Sequence, residues 1–275
     1  MKQTNQTMII SGFTIETYNY KGSPLVYDFK RPAVERNPII VVDEESKQRK
    51  IESRKTSMNR SRSIIRRLVN ANAWHWYKPS GLPYLPIFLT FTFADDIKDI
   101  PTANYIFSKF MKRFNYEITG SKNAFLKYVV VTEYQDKYDR GVIHFHGIFF
   151  NLKHIYVDTL SAIWGEGFIK LKKINNVKNA GAYVSKYMSE DFGDERLDGK
   201  KKYFSSRGLI KPTVIKEEEK VSQIVSQIPS KYLKHNKEFD RKYKGKKIGT
   251  VEYTQYLLEK RQTLSDIIPN LDELL

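Results

Sequence analysis

The chain has 275 residues, of which 40% are hydrophobic and 28% charged, a composition that argues for a folded protein and against wholesale disorder. Zero cysteines exclude disulfides, thiolate-bound zinc and Cys-ligated iron–sulfur clusters, and they fit a reducing, cytoplasmic setting. With 47 Lys+Arg against 31 Asp+Glu, a net charge of +16 and 3 Trp, 18 Tyr and 16 Phe, the composition points to a polyanionic partner, most economically a nucleic acid, and no apolar run reaches the roughly 18 residues of a membrane span.

The opening residues (MKQTNQTMIISGF) carry one Lys and no sustained apolar run, so a secretory signal is not expected. Residues 1–46 mix short β-type runs (Met8–Ile10 and Ile39–Val42) with Pro24, Pro32 and Pro38, and read as irregular or edge structure. Residues 47–67 hold nine Lys+Arg and one Glu and read as a helix, the densest basic stretch of the chain. Trp74–Tyr77 (WHWY) follows, and Pro79, Gly81, Pro83 and Pro86 then mark a loop.

The middle of the chain is more regular. IFLTFTF (Ile87–Phe93) alternates Thr with large apolar residues, the period-2 signature of a strand with one polar face. Ile106, Phe110, Phe114 and Ile118 predict an amphipathic helix over 102–118. KYVVVTEYQ (127–135) and GVIHFHGIFF (141–150) predict two strands around the polar turn DKYDR. A helix is expected over 156–164, a strand over 167–171, and a helix capped by Asn175 or Asn176 and running to about Ser189. This β-α-β-β-α-β-α order is the split βαβ pattern of an α+β sandwich, an antiparallel sheet with helices mostly on one face. From Gly193 onward the chain reads as polar and helical, with a second basic stretch at 234–247.

Two motifs carry chemistry. His144 and His146 flank Phe145 within one strand, so both imidazoles share a face and can chelate one divalent cation. If 127–135 and 141–150 form a hairpin centred at 138.5, Glu133 faces His144, because (133 + 144)/2 = 138.5. The resulting His-His-Glu set tolerates Mn²⁺ or Mg²⁺ and leaves room for a phosphate oxygen. A register slip of one residue would turn Glu133 away. In AYVSKYMSE (182–190), Tyr183, Lys186, Tyr187 and Glu190 fall on one helical face. That stripe reads either as Tyr packing with a snorkelling Lys or as a phenolic nucleophile beside a cation that favours phenolate.

IFLTFTF, IHFHGIF and YVSKY, in that order, resemble the three motifs of the HUH endonucleases that start rolling-circle replication. The resemblance covers roughly Pro86 to Asp191. It implies a ferredoxin-like, RRM-like palm with a central five-stranded antiparallel sheet, flanked here by N- and C-terminal extensions. It implies that His144, His146 and Glu133 hold Mn²⁺ or Mg²⁺, that Tyr183 is the nucleophile and that Lys186 is the motif lysine. Tyr187, four residues on, resembles the second tyrosine of two-tyrosine initiators, although Glu190 stands where those proteins repeat the lysine. The implied activity is site-specific nicking and joining of single-stranded DNA through a 5′-phosphotyrosine. The implied partners are origin DNA, single-stranded or supercoiled, with a host helicase and polymerase, and no membrane. The alternatives are another HUH protein (a transposase or relaxase), or a non-catalytic RRM-like module that binds single strands.

This reading divides the chain into a basic N-terminal extension (1–80), an endonuclease domain (81–210) and a helical basic extension (211–275). Beside such a core, Arg54, Lys55, Arg60, Arg62, Arg66, Arg67 and Arg207 are candidates for phosphate contacts. Trp74, Trp76 and Tyr77 could stack unpaired bases or cap the sheet as buried aromatics. GDERLDGKK (193–201) lacks the glycine spacing and the Ser/Thr of a phosphate-binding loop, so no fused ATPase is expected.

Overall fold

The structure is a computed structural model that describes residues 5–22, 44–136, 140–174, 180–187, 195–197, 200–243, 246–259 and 261–274. Its elements are β1 (Gln6–Ser11), β2 (Thr14–Gly22), α1 (Glu44–Asn72), β3 (Ile87–Thr92), α2 (Ile100–Thr119), β4 (Tyr128–Gln135), β5 (Val142–Phe149) and α3 (Val157–Trp164). They continue with β6 (Ile169–Lys173), α4 (Ala180–Tyr187), β7 (Tyr203–Ser205), β8 (Thr213–Ile215), α5 (Glu218–Gln227), β9 (Leu233–Tyr243), β10 (Lys246–Leu257) and α6 (Leu271–Leu274). The chain divides into two compact units, residues 58–212 and residues 1–57 together with 213–275.

The unit 58–212 is an α+β sandwich on a five-stranded antiparallel sheet in the order β6-β3-β5-β4-β7. The run β3-α2-β4-β5-α3-β6 with that spatial order is the ferredoxin-like split βαβ arrangement that the sequence pattern predicts. Alternation decides which side is dry. Leu89, Phe91, Ile143, Phe145 and Phe149 face the helices and are buried with Phe107, Phe110, Phe114 and Trp164. Phe91 makes edge or tilted contacts with Phe107, Phe110, Phe149 and Trp164, with centroids at 5.2–6.4 Å. Such pairs add to the burial of large apolar side chains, which drives the assembly.

Helix boundaries follow capping chemistry. Asp99 accepts from the Thr102 backbone N–H at 2.9 Å and from its hydroxyl at 2.8 Å, and Gly120 ends α2 at φ 68°. Gly165 closes α3 in the same left-handed conformation. The strand expected at 167–171 begins two residues later. Residues 166–168 instead cross the end of β3, where Thr92 and Ala94 donate backbone N–H groups to the Phe168 and Glu166 carbonyls.

The unit formed by 1–57 and 213–275 holds a second five-stranded antiparallel sheet, β8-β1-β2-β10-β9. Residues 6–22, expected as irregular or edge structure, form a hairpin through Gly12, and β2 is an interior strand between β1 and β10. The segment 234–247, expected as helical, is a β-hairpin arm. Its strand β9 is an edge strand paired with β10 from Leu233 to Tyr243, its described side chains mostly exposed, so backbone pairing rather than an apolar stripe fixes its conformation. Backbones approach closely at the Gly22–Gly249 pair, where an added Cβ on Gly22 would lie 2.6 Å from Gly249 Cα. The run Ile39–Val42, the caps Asn175 and Asn176, and Glu190 lie outside the described residues.

Candidate active site

On the face of the first sheet opposite the aromatic core, Thr90 and Thr92 of β3 pair with His146 and His144 of β5. Glu133 of β4 pairs with His144 in the register that the 138.5 midpoint requires. The ligand-capable atoms of Glu133, His144 and His146 all lie within 4.8 Å of one another. Glu133 Oε2 touches His146 Nε2 diagonally across the ladder.

The donor set suits a divalent cation. Thr90 Oγ1 lies 3.1 Å from His146 Nδ1, and in the tautomer where Nδ1–H donates to the hydroxyl, Nε2 turns a lone pair toward the cluster. An Nε2 lone pair against a carboxylate oxygen is favourable only with a shared cation or proton between them. His144 is buried, and burial, followed by the charge on neighbouring His146, holds its pKa below the ordinary histidine value. It is therefore a neutral imidazole, the form that ligates metal.

Tyr183 reaches the same face from α4. Phe88, two residues before Thr90, stacks on His146 (centroids 5.9 Å, planes 15° apart) and meets the Tyr183 ring edge-on at 6.4 Å. Lys172 pairs with Phe88 across β6 and β3, and its ammonium sits 5.2 Å from the Tyr183 ring centroid. Helix α4 is seated by the last turns of α1. The Gly181 backbone N–H donates to Asn70 Oδ1 at 2.7 Å, and an added Cβ on Gly181 would collide with the Arg66 carbonyl. Lys186 and Tyr187 lie in the last turn of α4, and their side chains lie outside the described residues.

The basic candidates do not form one uniform patch. Lys55, Arg60 and Arg207 are exposed, whereas Arg54, Arg62, Arg66 and Arg67 are half-buried along α1. The end of α1 is part of the fold. Ile65 and Val69 are buried, and Asn72 hydrogen-bonds the Leu68 and Ile210 carbonyls, each at 2.8 Å, while accepting from Ile210 N–H at 3.0 Å and Trp76 Nε1 at 3.3 Å. Trp74 is buried, which removes it as a stacking platform, while Tyr77 is exposed. Sequence reasoning missed Thr90, Phe88, Lys172 and Asn70. The polar face of IFLTFTF was a signal for Thr90, but no spacing pointed to Asn70, which meets α4 across 111 residues.

Fold and site together define an antiparallel α+β sheet protein that presents two histidines, a glutamate and a tyrosine on one face. Residues 86–192 match the family model of replication-associated proteins of the ORF2 type, and this match supports a rolling-circle replication protein. The matched span contains β3 to α4, and so every member of that face named above except Asn70. No curated protein and no solved structure matches the chain. No described helix is long and apolar enough to cross a membrane.

Proposed function

We propose that the protein is a metal-dependent, site-specific single-strand DNA endonuclease and strand transferase that initiates rolling-circle replication, as its resemblance to the HUH endonucleases implies. The observation that carries this reading is the Glu133–His144–His146 donor set on the sheet face that Tyr183 also reaches. Mn²⁺ or Mg²⁺ held there would supply Lewis-acid polarisation of the scissile phosphate.

The chain's own groups do the rest. Thr90 fixes the His146 ring, and Asn70 seats the turn of helix that carries Tyr183. The Tyr183 oxygen attacks phosphorus, a P–O bond to tyrosine forms, and the P–O3′ bond breaks. The 3′ oxygen leaves as a hydroxyl, taking up a proton in place of the one the phenol loses. Lys172, against the Tyr183 ring, and Lys186, one turn along α4, supply positive charge that favours the phenolate and the bound phosphate. The phosphotyrosine conserves the bond energy, so reversal rejoins the strand without a nucleotide, and Tyr187 is the proposed second acceptor.

Origin DNA is the proposed substrate. A host helicase and polymerase are the proposed partners, with the host cytoplasm as the setting.

The test is calorimetric titration of Mn²⁺ alongside cleavage of circular single-stranded origin DNA. One site is expected in the parent and none in His144→Ala or His146→Ala, with cleavage lost and the circular-dichroism spectrum kept. Equal Mn²⁺ binding in parent and variants would make the cluster structural and overturn the mechanism.

A further inference from the structure

The opposite side of the same sheet carries a second feature that the nicking reading does not use. Strand β7 is only three residues long and forms the sheet edge beside β4, so α2 overhangs it and leaves an open groove of about 1410 Å³. Phe107, Tyr128 and Phe204 line its floor, with Phe107 centroids 6.3 Å from Tyr128 and 5.2 Å from Phe204. Tyr116 stands on the rim and is 55% exposed, a phenol ring presented to solvent.

The charge of the groove is one-sided. Lys112, Arg113, Lys122, Lys127, Lys201 and Arg207 line it, and among the described lining residues there is no Asp or Glu. Six charged residues drawn at random from the chain's 47 cations and 31 anions would all be cationic only about once in twenty draws, so net basicity alone is a poor explanation. Lys127 donates to the Arg207 carbonyl at 2.9 Å, and Arg113 donates to the Ile163 and Trp164 carbonyls, at 2.9 and 3.2 Å. Neutral acceptors leave those charges uncancelled, and Lys112, Lys122, Lys201 and Arg207 are exposed.

Cations track a phosphodiester backbone, and an exposed aromatic ring stacks unpaired bases whatever their sequence. An acidic peptide would satisfy the cations but leave the aromatic rim without a partner. We infer that the groove between α2 and β7 binds single-stranded DNA, as a track distinct from the histidine face. The lining residues of α2, Asn104 to Tyr116, span about 18 Å, room for roughly three to five nucleotides. Strand β7 joins the two faces: Tyr203 pairs with Val131 and so shares the side of His146, whereas Phe204 turns into the groove. A strand leaving the groove has only this edge to round to reach the histidines.

The inference rests on the replication reading for the choice of polymer alone, and its test needs no cleavage. Fluorescence anisotropy of a labelled mixed-sequence 20-mer, in EDTA, compares the parent chain with Lys112→Glu/Lys122→Glu/Lys201→Glu and with Tyr116→Ala. The triple variant is expected to bind at least tenfold more weakly, with a log–log salt slope shallower by about two. Tyr116→Ala is expected to lose at least fivefold in affinity with the slope kept, the mark of lost stacking rather than lost charge. Parental affinity in both variants would overturn the inference. So would displacement of the oligonucleotide by polyglutamate at equal charge concentration together with an inert Tyr116→Ala, since the surface would then be a general acidic-partner site. Because the metal is chelated throughout, failure of the nicking mechanism leaves this result readable.

Discussion

Replacing Thr90 with Val keeps the shape of β3 and removes one oxygen. In the structure that oxygen meets His146 Nδ1 at 3.1 Å on a partly shielded face beside Phe88. The variant leaves Nδ1–H facing a methyl group, and an unmet donor of this kind costs about 1–3 kcal/mol. Ring orientation and tautomer are then no longer fixed, and loss of such an outer partner lowers metal affinity about 10–100-fold, or about 1.4–2.7 kcal/mol. Thr90→Ser restores the hydroxyl and should restore most of the affinity, which separates hydrogen bonding from packing. Calorimetric titration with Mn²⁺ measures all three proteins. Parental Mn²⁺ affinity in Thr90→Val, alongside loss of binding in His146→Ala, would refute the claim that Thr90 positions the ligand.

Three further outcomes follow from the same geometry. The pKa of His144 is held below its unfolded value by burial, so the unfolded chain takes up the proton first as pH falls. Metal-free protein should therefore lose stability below about pH 6.5 and stop losing it at the folded-state pKa, and urea titrations should show this dependence weakened in His144→Gln. Gly181→Ala drives a methyl group into the Arg66 carbonyl and to 2.8 Å from Asn70 Oδ1. A loss of roughly 1–3 kcal/mol in stability is expected, together with a reduced yield of covalent DNA adduct as Tyr183 shifts, and a parental melting curve would contradict the tight α1–α4 seat. Lys55→Gln/Arg60→Gln removes two exposed cations of α1 and should make the salt slope of single-strand binding shallower by about 1.4, whereas an unchanged slope would assign them to solubility.

The sheet that carries the site was legible because both of its signals are local. Alternation in IFLTFTF and GVIHFHGIFF sets the faces, and the five-residue polar turn sets the register that puts Glu133 opposite His144. Helix α2 was equally plain from Ile106, Phe110 and Phe114, with Asp99 and Gly120 marking its ends.

The second sheet was not legible, because its pairing joins distant parts of the chain. Strand β2 finds β10 across more than 200 residues, and β9 has almost no apolar alternation to announce it. The run Thr250–Tyr256, rich in β-branched and aromatic residues after a Lys-Gly-Lys run, was the available signal. The dense charge of 47–67 masked the other role of α1. Its last two turns are apolar on one side and seat α4, a packing function that a count of cations cannot reveal.

The central claim is that Tyr183, on the face of Glu133, His144 and His146, forms the covalent bond to DNA. Incubation with origin DNA and Mn²⁺, followed by proteolysis and mass-spectrometric mapping of the trapped adduct, measures it directly. The nucleotide is expected on Tyr183, with the adduct lost in Tyr183→Phe and initial nicking kept in Tyr187→Phe. Nucleotide on Tyr187 in the parent would reverse the assignment, and an adduct on neither tyrosine would reduce the protein to one that binds DNA without cutting it.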